Sequence, residues 1–115
     1  MYDDALRGYA FAIHKRDGFK CVYWGLDGKE SFPNWLSLSQ DHLLPKGHPD
    51  KEKQDFIVTA CQFCNTADNH YFERESSKGN LFVDQTPEKL IQKRKVGIEL
   101  SRSRYLQFYK KNVLS

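Results

Sequence analysis

Cys21 stands alone in this chain, and Cys61-Gln62-Phe63-Cys64 forms a Cys-x-x-Cys pair further on. These three cysteines constrain the fold more than any other feature. An odd number of thiols, two of them closely spaced, favours metal ligation or redox chemistry over a disulfide framework. The start of the chain, Met1-Tyr2-Asp3-Asp4, lacks the charged region and apolar run of a secretory signal, and no stretch is apolar enough to span a membrane, so the expected compartment is the cytoplasm. A staple matters at this size. With 115 residues and 13.5 kDa the chain reads as one domain, and such a domain buries only about two thirds of the surface its unfolded form exposes.

Between the cysteines lies Ser39-Gln40-Asp41-His42-Leu43-Leu44-Pro45-Lys46-Gly47, and Asn65 directly follows Cys64. Asp41-His42 puts a carboxylate beside an imidazole, while a metal-pinned turn at the Cys-x-x-Cys would fix the backbone carrying Asn65. Ligands for a divalent ion next to a candidate general base are what metal-assisted phosphodiester hydrolysis requires.

The pattern along the chain places these residues. Leu6, Tyr9, Ala10 and Ile13 recur at helical spacing, predicting a first helix from Tyr2 to about Lys15 that Asp17-Gly18 stops. Lys20 to Gly28 reads as a tight turn, and Phe32-Pro33-Asn34-Trp35 as a loop. Alternation from Leu36 to Leu44 predicts a strand ending at Pro45. Lys46 to Lys53 is expected to be an exposed loop, and Phe56 to Ala60 a second strand paired with the first. A helix is expected from about Gln62 to Glu75, broken by Ser76 to Asn80. Thr86-Pro87 then reads as an N-cap with proline at the first helical position, opening a long basic helix interrupted at Gly97. There is no internal repeat, low-complexity tract or second domain.

Three segments together resemble the HNH endonucleases, small ββα-metal (His-Me finger) nucleases. They are Arg16-Asp17-Gly18-Phe19-Lys20-Cys21-Val22-Tyr23, Asp41-His42-Leu43-Leu44-Pro45 and Cys61-x-x-Cys64-Asn65, and the resemblance runs from about Phe11 to Asn69. It implies an α+β fold with a ββα-metal core over about 11–75 and a helical extension over about 86–113. It also implies hydrolysis of DNA to 5′-phosphate and 3′-hydroxyl ends, with His42 as general base and Asp41 and Asn65 holding the catalytic ion. Hard oxygen ligands suit magnesium or manganese, with nickel or zinc as further candidates. Asn69, four residues beyond Asn65, shares its face on a continuous helix and is a candidate further ligand, with a plain exposed residue as the competing view.

Two positions depart from the family pattern. The usual second cysteine of the first pair is Trp24 here, which leaves three arrangements open. Cys21, Cys61 and Cys64 hold structural zinc with Asp27, His48 or water as fourth ligand; or the thiols are metal-free beneath Trp24; or Cys61 and Cys64 form a redox pair. A lost zinc is favoured, because an indole offers no ligand and is large enough to plug a core. The middle asparagine of the motif is Phe56 here, and the preceding Asp55 is the expected brace for His42.

From Thr86 to Ser115 there are eight Lys or Arg against two Glu, so the net charge of +3 leaves the rest of the chain at −3. Lys93, Arg94, Lys95, Arg102 and Arg104, with Lys46 and Arg74, are therefore candidate phosphate contacts, alongside the alternative of a solvated helix face. DNA is the expected partner, RNA stays open, and a larger targeting protein is compatible with so short a chain. A catalytically inactive nucleic-acid-binding or protein-interaction module is the competing functional class.

Overall fold

A computed structural model describes residues 5–115. Its order is α1 (Phe11–Arg16), α2 (Phe32–Leu36), β1 (Leu38–His42), a single 3-10 turn (Gln54–Phe56), β2 (Ile57–Cys61), α3 (Gln62–Thr66), α4 (Tyr71–Ser77) and α5 (Pro87–Asn112). The architecture is α+β, with one two-stranded antiparallel sheet carrying the helices. In its register Leu38 faces Cys61 and Asp41 faces Val58. Every residue of β2 is buried, because α1 and α3 both pack on the hairpin. No helix among the described residues is long and apolar enough to cross a membrane.

The first helix is shorter than the spacing predicted. Residues 5–10 form turns, with Gly8 weakening helix in their midst, and Tyr2 to Asp4 lie outside the described residues. What α1 contributes is Ile13 and His14, both buried. Asp17 then pins the turn to the sheet: its Oδ2 accepts from the Thr59 backbone N–H at 2.8 Å, while Arg16 donates to the carbonyls of Gln54 and Ile57.

His14 is fully buried, with Nδ1 2.7 Å from Thr59 Oγ1 and Nε2 without a partner among the described residues. Burial pushes its pKa below the ordinary 6.5, against an opposing pull from Asp17. The folded state therefore prefers neutral imidazole. This contribution is complete above the unfolded pKa and is lost as pH falls from there through the folded value. Unfolding free energy is expected to drop on acidification below 6.5, by at most about 1.4 kcal/mol per pH unit for one proton. Urea titrations across that range should show the slope in wild type and a flatter profile in His14→Gln.

Phe32–Leu36 is a helical turn rather than a loop: Ser31 Oγ accepts from the Asn34 N–H at 3.1 Å, and Pro33 sits in the first turn. These are ordinary start signals that a loop assignment overlooks. The helix expected from Gln62 to Glu75 is two helices. Asp68 lies in the break, its carboxylate accepting from Nη1 and Nη2 of Arg74 at 3.0 and 2.7 Å.

The final helix starts as expected, with Thr86 Oγ1 capping Lys89 N–H. It runs unbroken through Gly97, which is there for close approach rather than interruption. A Cβ at Gly97 would lie 2.2 Å from Asp68 Oδ2, inside the carboxylate that Arg74 holds in place. Overpacking of this kind costs about 1–3 kcal/mol, against about 1 kcal/mol gained from alanine's helix propensity. Gly97→Ala is expected to destabilise by roughly 1 kcal/mol net, and Asp68→Ala in the same chain should remove the penalty, both read from urea midpoints. Leu90, Arg94 and Ile98 are the buried residues of α5, and they close a core shared with Tyr23, Leu43, Leu44, Val58 and Tyr71.

Candidate functional site

Asp41 and His42 end β1 on a regular ladder. The Leu43 N–H still bonds the Phe56 carbonyl at 2.9 Å, so the ladder is regular through His42 and the bend expected at Pro45 lies beyond it. They point apart, as neighbours on a strand do. Asp41 is turned inward and 4% exposed, whereas His42 is half-buried and faces the loop, with Nε2 3.3 Å from Glu52 Oε2. The expected brace, Asp55, is exposed in the 3-10 turn and makes no bond to His42; Glu52 takes that place.

Asp41 meets two partners that its spacing did not announce. Tyr23 Oη donates to Oδ2, and Arg94 reaches across from α5, with Nη2 3.3 Å from Oδ1. Arg94 Nε lies 3.2 Å from Oδ2 without the alignment of a hydrogen bond, so that contact is coulombic. Burial pushes the Asp41 carboxyl above the usual carboxylate range, opposed chiefly by Arg94, and it pushes the Tyr23 phenol far up. Arg94 therefore departs from its expected role. It is 4% exposed, with its guanidinium 5.1 Å from the Tyr71 ring centroid and 5.5 Å from that of Phe72, and it is no surface phosphate contact.

Asn65 docks α3 on β1. Its Nδ2 donates to Ser39 Oγ at 2.9 Å and to the Gln40 carbonyl at 3.1 Å. That amide orientation, set by the two acceptors, leaves Oδ1 as the unengaged atom. Ser39 and Asp41 share a strand face, so Asn65 docks on the Asp41 side of the hairpin.

Asp41 and Asn65 offer oxygen donors of the kind a hard divalent ion takes: each carboxylate oxygen accepts one hydrogen bond and keeps a lone pair, and the Asn65 amide oxygen has no partner among the described residues. The cost is charge, since Arg94 already balances Asp41. Asn69 is exposed beyond the end of α3 and does not share a helix face with Asn65, because the break at Asp68 comes between them and α4.

Cys21, Cys61 and Cys64 are buried and unpaired, with their sulfurs within 4.8 Å of one another. Cys21 opens the tight turn, where the Gly25 N–H returns to the Cys21 carbonyl at 2.8 Å and Gly25 takes φ +79°, a conformation glycine adopts without strain. Hydrogen bonds from the other two thiols pull Cys21 toward thiolate, and the same sharing pushes Cys64 up. This trio could hold a metal ion such as zinc. Neither protein candidate for a fourth ligand joins it: Asp27 caps the Lys29 N–H, and His48 is bonded through both ring nitrogens, to the Phe82 carbonyl and the Asp50 N–H. Trp24 does not plug the site either. It is 44% exposed, with Arg102 stacked on it at 4.3 Å.

The remaining basic candidates scatter. Arg74, Lys93 and Arg104 line a cleft of about 650 Å³ between α4 and α5, but Arg74 is committed to Asp68. Lys95 lies 3.9 Å from Glu99, and Lys46 is exposed in the loop after β1. Comparison with protein-family models, with curated proteins and with solved structures finds no match to this chain.

Proposed function

We propose that this chain is a divalent-metal-dependent endonuclease of the HNH type, hydrolysing DNA phosphodiester bonds with little intrinsic sequence preference. The observation that supports the reading is the Asn65 contact with Ser39 and Gln40, which docks the residue after the Cys-x-x-Cys on the strand that carries Asp41 and ends in His42. His42 takes the proton from the attacking water, and Glu52 orients its ring. Asp41 and Asn65 would hold magnesium or manganese, which supplies neutralisation of charge on the phosphate when bound. Tyr23 and Arg94 fix the Asp41 carboxylate, as outer partners of metal ligands do. Zinc at the cysteine trio would pin β2 and α3 to the tight turn.

One observation favours the second reading, a non-catalytic nucleic-acid-binding module: Arg94 already neutralises Asp41 without any ion. Plasmid nicking and linearisation with magnesium, manganese, nickel or no added metal separates the two. Metal-dependent cutting by wild type, absent in His42→Ala, supports the nuclease. Salt-dependent DNA binding without cutting in any metal supports the module.

A further inference from the structure

Trp24 occupies the position where the family pattern has a metal ligand, and the nuclease reading gives it no task. Its indole stands at the surface beside the far end of α5, in a groove of about 320 Å³ lined with Phe63, Arg102, Tyr105, Leu106 and Tyr109. The four α5 residues recur at three- and four-residue spacing, so they form one stripe. Past Ser101 every residue of α5 is exposed, Tyr105 at 63% and Tyr109 at 45%. Phe63 meets Tyr105 edge to face at 5.5 Å, which holds the groove against α3, the helix that carries Asn65. Clustered exposed aromatics on a small protein mark a binding surface.

Charge selects the occupant. Beyond Glu99 the chain carries Arg102, Arg104, Lys110 and Lys111 and no acidic residue. A second copy seated here would bring like charges together, whereas a polyanion would neutralise them. Flat aromatic faces interleaved with cations suit stacked bases and their phosphates, and a duplex keeps its base faces covered. We propose that this groove binds the unpaired bases of single-stranded nucleic acid, with Trp24, Tyr105 and Tyr109 as stacking surfaces and Arg102 as the phosphate contact. The choice of a polyanion rests on the nuclease reading, and it makes single-stranded or locally opened strands the substrate class.

The test is fluorescence anisotropy with labelled oligothymidylate and with a duplex of equal length, in buffer without added divalent ion. Wild type should prefer the single strand. Trp24→Ala and Tyr109→Ala should each weaken single-strand binding by roughly tenfold or more, as loss of a stacking partner does, with duplex binding little changed. Trp24→Phe, which keeps an aromatic face, should recover most of the loss, and circular dichroism of each variant confirms folding. Unchanged single-strand binding, equal losses on both ligands, or a dimer in sedimentation that Tyr109→Ala dissolves would overturn the proposal. Single-strand preference by a wild type that cuts in no added metal would count against the nuclease reading and leave the groove assignment standing.

Discussion

Arg94→Met is expected to cost the fold about 3–5 kcal/mol, the range for removing one partner of a buried ion pair. Both side chains are almost sealed, at 5% and 6% exposed, so water cannot replace the lost charge. Tyr23 still donates to Asp41, but a phenol carries no countercharge. Methionine keeps much of the volume among the rings of Tyr23, Tyr71 and Phe72, so the loss reports charge more than cavity. Against the roughly 5–15 kcal/mol that holds a domain of this kind together, urea denaturation should show a large drop in midpoint. Asp41→Leu combined with Arg94→Met should be less damaging than the sum of the single changes, because neither then buries an unpaired charge. A loss of about 1 kcal/mol or less, typical of solvent-exposed pairs, would mean that the pair is open to water in solution.

That pair also shows where the sequence stops being legible. The Asp17-Gly18 stop and the Thr86-Pro87 start of α5 are local signals, decided by residues within a turn of one another, and they are found where the spacing puts them, whereas the paired strands run over Leu38–His42 and Ile57–Cys61 against the expected Leu36 to Leu44 and Phe56 to Ala60. The cysteine trio is legible for a different reason: thiols are rare, and three in this pattern have few uses. Arg94 is not legible, because its partner lies 53 residues away and an arginine in a basic run reads as a solvated one. Tyr23 and Glu52 carry no spacing signal at all; each matters only through the side chain it meets across the fold. Trp24 misleads because its size suggests a core plug, whereas the turn at Gly25 and the overhang of α5 leave it a surface to share with Arg102. The division of one expected helix into α3 and α4 falls at Asp68, whose carboxylate finds Arg74 and whose closeness to α5 requires Gly97. Such pairings are tertiary choices that periodicity does not encode.

His42→Ala is expected to lower metal-dependent cleavage by about 10²–10⁴-fold, the usual contribution of a positioned general base. The fold should survive, since the His42 side chain is 25% exposed and its carboxylate partner, Glu52, is 75% exposed. Glu52 acts only by orienting the imidazole, through a contact of 3.3 Å that solvent shares. Glu52→Gln should therefore reduce cleavage by a few-fold at most, on the order of what an exposed pair is worth. Combined with His42→Ala it should add nothing, because an orienting residue has no role once the ring is gone. Single-turnover cleavage of a labelled strand, with circular dichroism of each variant, measures all three. Full cutting by His42→Ala would place the base elsewhere. A further loss from Glu52→Gln on top of His42→Ala would mean that Glu52 itself handles the proton or the ion, and the roles along this edge of the hairpin would have to be exchanged.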